Sequence, residues 1–404
     1  MNIPNGYKQT AVGIIPQEWE VKRLGSIAKC FSGGTPKSES EEMYGGTIPF
    51  IRSGEIHGDK TALYLTDDGL CKSSAKMVNV GDLIFALYGA NSGDCAISQI
   101  NGAINQAILC IRSLSVINPF LQPYLELQKD RFIAKYLQGG QGNLSGEIVC
   151  SYTMPVPPME EQRKIAEILG VWDEAIEKQS RLIEKLELRK RALMQRLLTG
   201  RTRLPGFTTP WQKVSYSEIL KEVKRNMTWN DNEEYDLISV KRRSGGLFHR
   251  DRLLGKDIKT KNLRPAKFGD FLISKMQIVH GASGLVTEEF DGMKISGSYI
   301  ALVAKSREKV DMNFINWYSQ TPYFYHQTYV SSYGVHIEKM TFDLESFMSM
   351  NIILPPLPEQ KAIAEVLTAA NNEIATHRKK LDALRLQKRG LMQQLLTGKT
   401  RVKI

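Results

Sequence analysis

Two sets of loop residues in this 404-residue chain carry donors and acceptors suited to base edges and phosphates. The first comprises Thr35 and Lys37, which follow Ser32-Gly33-Gly34, then Arg52, Ser53, Tyr88, Asn91, Ser92, Gln141 and Asn143. The second begins with Lys241, Arg242 and Arg243 ahead of Ser244-Gly245-Gly246, and continues through His249, Arg250, Arg252, Lys275, Gln277, His280 and Tyr333. Arg and Lys can read guanine, Gln and Asn can read adenine, and hydroxyls with backbone amides hold phosphates. Any one of these is by default a solvated loop side chain, so the argument rests on the sets.

Chemistry of other kinds is scarcely represented. The chain has no G-x-x-x-x-G-K-[ST] phosphate loop, no H-E-x-x-H and no G-x-S-x-G nucleophile turn. Asn118-Pro119-Phe120 has a superficial likeness to a methyltransferase motif, but Leu121 follows and no glycine-rich methyl-donor loop precedes it, so it reads as a turn. Five widely spaced cysteines, all before residue 151, suit free thiols better than disulfides or zinc. The six histidines show no ligand spacing. An independent enzyme and a metal site are not expected.

The elements that must position the loops are announced by a repeat. Residues 155–203 return at an offset of 198, with 22 of 49 positions identical, from Pro157-Pro158 and Glu161-Gln162 to a Leu-Leu-Thr-Gly end at Gly200; the second copy runs from Pro355-Pro356 to Gly398. Proline before the start, acidic residues in the first turn and glycine at the end are helix punctuation. Steps of four and three give an apolar seam: Ile165, Leu169, Trp172, Ile176, Ile183, Leu186, Leu193 and Leu197. The second copy gives Ile363, Leu367, Ala370, Ile374, Leu381, Leu384, Leu391 and Leu395. The polar breaks fall at matching places, Gln179 with His377 and Lys190 with Lys388. A heptad seam with matched breaks predicts that the two rods pair as an antiparallel coiled coil rather than standing as separate amphipathic helices.

Between and before the rods lie two globular segments with faint mutual likeness. Each has a Gly-Asp pair leading into an apolar strand, Gly81-Asp82 and Gly269-Asp270, then a glycine loop and a further strand. The expected fold is α+β, with two mixed domains (1–154 and 205–355), two long helices (155–204 and 356–404) and an internal pseudo-two-fold repeat. With 42% apolar and 24% charged residues the composition is that of a folded chain. Neither a transmembrane run nor a secretory signal is evident, so the expectation is a cytoplasmic protein without a membrane partner. The net charge of +11 resides mainly on the helices and the second domain, which suits a polyanionic partner.

This order of elements resembles the specificity subunit of Type I restriction-modification enzymes, most specifically through Pro157 to Leu169, Pro355 to Leu367 and the two Leu-Leu-Thr-Gly ends. The resemblance implies a non-catalytic subunit in which two target recognition domains read the halves of a bipartite asymmetric site in double-stranded DNA, with the helices setting the spacer. It also implies two methyltransferase (modification) subunits as partners, with two restriction subunits able to join them. S-adenosylmethionine, ATP and Mg2+ would then be held by the partners, and none by this chain. Two readings of other classes stay open at the level of residues: a basic coiled-coil scaffold that binds nucleic acid without sequence preference, and a nuclease with an unrecognised site.

Overall fold

The computed structural model describes residues 3–37, 39–136 and 144–404. These divide into two compact units, Met1–Ser180 with Lys379–Ile404, and Arg181–Arg378, so the division falls inside both long helices rather than at their ends. Among the described residues no helix is long and apolar enough to cross a membrane.

The first unit is built on an antiparallel sheet in the spatial order Ala28–Ser32, Ile108–Ser113, Leu83–Ala86, Cys95–Ile97. The run Leu83-Ile84-Phe85-Ala86 is apolar throughout because both faces of this central strand are covered. Leu83 and Phe85 point into a core shared with Phe120, Leu121, Leu125 and Phe132 and with Ile165 and Leu169 of the first long helix. Ile84 and Ala86 face the other way, onto Ile51, Val78 and Ile104 of a second four-stranded sheet. That sheet contains a parallel pairing, between Gly102–Ile104 and Tyr44–Ile51.

The second unit repeats this plan strand for strand. Its first sheet runs Leu220–Glu222, Tyr299–Ala304, Phe271–Ser274, Ser283–Leu285, and its second runs Leu247–Leu254, Glu234–Val240, Lys294–Ser296, Leu263–Pro265. Phe271 and Ile273 join the core with Phe314, Phe324, Ile363 and Leu367, while Leu272 faces Ile238, Val286 and Ile295. The repeated Gly-Asp pair proves to be a turn device in both units. Gly81 and Gly269 adopt φ of +94° and +84°. Asp82 then accepts from the amide of Asn79 at 2.8 Å and from the Arg112 guanidinium, as Asp270 does from the amide of Lys267 at 2.8 Å and from Arg225.

The long helices span Met159–Leu197 and Leu357–Leu395, and the chain leaves each through a left-handed glycine, Gly200 or Gly398. Within each unit the two helical segments run antiparallel. In the second unit Glu187 meets Arg378, Arg189 meets Glu373, and Lys190 donates to Asn371 at 3.0 Å, so partner numbers fall as the chain rises. In the first unit Lys388 donates to Asp173 at 2.5 Å, the contact equivalent to Lys190 with Asn371. The two lysine breaks in the seam are therefore answered across the pair. Of the seam positions, Ile165, Leu169, Ile183, Leu186, Leu197, Ile363, Leu367, Ile374, Leu381 and Leu395 are buried, and Trp172, Ile176, Leu193, Leu384 and Leu391 are half-buried.

One expectation is corrected here. Asn118-Pro119-Phe120 does not form an isolated turn but opens a 19-residue helix, Asn118–Tyr136. Proline fits a first helical turn, where its missing amide has no partner to lose, and Phe120 is buried in the core.

Candidate nucleic-acid interface

The loops are carried by domains clamped to the helix ends through the repeated Glu-Gln pair. Glu161 is fully buried; it accepts from Trp19 Nε1 at 2.9 Å and from Arg401 Nε at 2.7 Å. Glu359 is equally buried and accepts from Trp211 Nε1 at 3.0 Å and Arg203 Nε at 2.5 Å. Each glutamate at a helix start is thus matched by the arginine that follows the Leu-Leu-Thr-Gly end of the other copy. The neighbouring glutamines bracket the domain side: Gln162 donates to Pro157 O and accepts from the Ile117 amide, and Gln360 donates to Pro355 O and accepts from the Asp311 amide. These contacts make both residues structural, since buried polar groups at a junction must be fully paired. The helix dipole accounts for only part of the preference for Glu161 in the first turn.

In the first unit, candidates from three separated stretches converge. The Thr35 hydroxyl donates to Gln106 Oε1 at 2.5 Å, and the phenol of the half-buried Tyr88 is pushed up by burial, with Gln106 opposing that shift. Asn91 Nδ2 donates to Ser53 O at 3.2 Å, joining the 88–93 loop to the 52–55 turn. Arg52 is exposed, with its guanidinium held bidentate by Glu55 at 3.0 Å for both bonds. Lys37 is exposed nearby in sequence to Thr35. Ser92 is corrected: it is 8% exposed, and its hydroxyl donates to Leu87 O, so it ties the loop instead of facing a ligand. Gln141 and Asn143 lie outside the described residues.

The second unit gathers a larger basic group. Arg242 donates to Gln277 Oε1 and, at 3.1 Å, to Glu338 Oε2. His280 Nε2 lies 3.3 Å from Glu338 Oε1, outside hydrogen-bond alignment. The Arg243 and Ser244 amides donate to His280 O and Gly281 O at 2.7 and 2.9 Å, fixing both residues in left-handed backbone at φ of 56° and 53°. Such geometry in residues other than glycine is uncommon and tends to mark functional loops. Lys241 stays exposed, its ammonium 5.4 Å from the Phe248 ring centroid. Lys275 O accepts from the Phe342 amide, which brings the Ser332–Phe342 hairpin, with Tyr333, alongside. Arg250 and Arg252 sit on the edge strand Leu247–Leu254 and pair with Asp251 and Glu234, and His249 pairs with Asp236. Those three belong to the strand and not to the loop group.

Glu55, Gln106 and Glu338 orient these side chains, Tyr325 holds the Ser244 hydroxyl at 2.8 Å, and all four are absent from the candidate set read from sequence. Arg242 reaches its partners across 35 and 96 positions, a separation at which no local spacing carries a signal. Among the described residues no cluster of His, Cys, Asp or Glu could hold a metal ion, and the five cysteines are free thiols. What the loops offer is oriented cationic forks and amides on two copies of one framework.

A model of the family described as "Type I restriction modification DNA specificity domain" matches residues 16–188 and again 209–386. The chain is similar to the Type I restriction enzyme MjaVIII specificity subunit of Methanocaldococcus jannaschii, with 23% identity over 414 residues covering 96% of this chain and 94% of that one. In fold it is similar to the S subunit of a Type-I restriction-modification system from M. genitalium, at a TM-score of 0.58 and 14% identity over 98% of both chains. A second solved chain, from work described as "Structural basis underlying complex assembly and conformational transition of the type I R-M system", gives 0.60 and 18% identity over 96% and 99%. With two family matches spanning most of its length, each on one copy of the repeated framework, the chain belongs to the Type I restriction modification DNA specificity family and is a specificity subunit with two target recognition domains.

Proposed function

We propose that each domain reads one half of a split, asymmetric DNA site, with the duplicated helices setting the distance between the halves. The observation that carries this reading is one framework presenting two different loop groups, around Arg52 in one unit and around Arg242 in the other. Common framework with unlike loops is what two readers of different sequences require. Two reading heads on one face of a duplex sit about one helical turn, roughly 34 Å, apart, so several base pairs between them go unread.

In this reading the chain performs no chemistry. Two methyltransferase subunits dock on the helices and adjoining surfaces and hold S-adenosylmethionine, methylating adenine in each half-site. Two restriction subunits, using ATP and Mg2+, can join them. The cytoplasm, where the DNA is, is the expected location.

A long-read methylome of cells expressing this chain with its methyltransferase tests the reading. A split adenine-methylated motif that disappears without this chain is the expected outcome. A scaffold without sequence preference would yield no new motif and only a steep salt dependence of DNA binding.

A further inference from the structure

The hairpin that joins Ser332–Tyr333 to Thr341–Phe342 exposes three large apolar side chains within five residues. Tyr333 is 67% exposed, Val335 94% and Ile337 49%. Scattered surface apolar residues need no explanation, but a cluster at a projecting tip does. The hairpin is fixed to its surroundings. Ser332 pairs with Phe342 and Tyr333 with Thr341, the Phe342 amide donates to Lys275 O at 3.0 Å, and Glu338 accepts from Arg242. Gly334, at φ of 153°, makes a close turn in which an added Cβ would lie 2.9 Å from Met340 Cα.

The charge around the tip identifies what it meets. The Arg242 guanidinium and the Lys275 backbone are joined to the hairpin by the contacts above, the Arg243 amide donates to His280 O beside it, and Lys339 is part of it. The acid among them, Glu338, is engaged by Arg242. An apolar tip on a basic stretch of the domain, with Arg242 bonded to it and Lys339 within it, suits a duplex groove lined by phosphates. The C5-methyl of thymine is the apolar feature of the major-groove base edges.

We propose that Val335, supported by Tyr333 and Ile337, is the residue with which the second domain recognises thymine, by packing on its C5-methyl in the major groove. The proposal rests on the reading of that domain as a half-site reader and goes beyond it by assigning one base feature to one side chain.

The test uses the chain assembled with its methyltransferase subunits and a duplex carrying the methylome-determined motif. Thymines of the half-site that responds to alanine at Lys241, Arg242 and Arg243 are replaced by deoxyuridine, which removes only the methyl group. Uracil should weaken binding by the parent complex about fourfold for each methyl contacted, the factor for one buried methyl group. Val335→Ser, a change at a side chain with little to pack against in the free chain, should bind both duplexes alike, at the level of the parent on uracil DNA. Retention of the thymine preference by Val335→Ser would overturn the proposal, as would equal binding of thymine and uracil duplexes by the parent complex. Failure of the variant to assemble with its partners would overturn the proposal and assign the tip to protein contact instead. If the loop alanines shift the half-site and Val335→Ser does nothing, this inference alone fails. If neither changes the half-site, the underlying reading fails with it.

Discussion

At the scale of residues, the positions that hold the fold are those most often mistaken for sites. Asp82 is acidic, beside a glycine and ahead of a loop, yet it is spent on the Asn79 amide and Arg112. Burial alone would push its carboxyl up; the arginine and the amide outweigh burial and hold it below the ordinary value of 3.8. A lowered folded pKa contributes stability that is full above the unfolded value and is lost as pH falls through the folded one. Asp82→Asn should therefore be less stable than the parent at neutral pH, and the gap should close as pH falls through the lowered value of the carboxyl. Urea midpoints measured down the acid range check this, and parallel curves for the two proteins would contradict it. Trp19 Nε1 donates to a fully buried carboxylate, so Trp19→Phe should cost about 1.5–3 kcal/mol, the usual worth of a hydrogen bond to a charged group. Chemical denaturation of the two proteins measures that loss, and equal stabilities would refute the role given to the indole. The Glu161 and Gln162 pair was legible as a repeat, but its partners Trp19 and Arg401 lie 142 and 240 positions away and have no local signature.

At the scale of elements, the helices were the most legible part because each apolar position repeats its information every three or four residues. Their antiparallel direction within each unit shows in what two of the polar breaks meet, Asn371 for Lys190 and Asp173 for Lys388. The helix Asn118–Tyr136 was missed, since Pro119 reads as a break unless the helix is known to begin there. The proposed spacing role gives a direct prediction. Four residues inserted between Ser180 and Arg181 add about 6 Å of helix, one to two base-pair steps at roughly 3.4 Å. The unread spacer should lengthen by that amount with both half-sites unchanged, as read by methylome sequencing. A change within either half-site would remove the helices from the spacing role.

At the scale of the whole molecule, duplication separates framework from reader. Two units share strand order, the Gly-Asp turn, the Trp-Glu-Arg clamp and the capping glutamine, whereas their loop groups differ in charge and residue type. Replacing Lys241, Arg242 and Arg243 together with alanine should therefore relax one half of the methylated motif and leave the other intact. It should also flatten the salt dependence of DNA binding by up to about three phosphate equivalents. Relaxation of both halves, or of neither, would count against modular reading. The sequence by itself determined the repeat, the two long helices with their apolar seam, the mixed domains and the pool of loop residues, because periodicity and punctuation are local properties of the chain. Only the tertiary structure decided which of those residues come together. It joined Arg242 to Gln277 and Glu338, turned Ser92 inward and set Val335 at a projecting tip. Such contacts depend on how distant segments pack around a common core, and packing is a property of the folded chain that no spacing along it records.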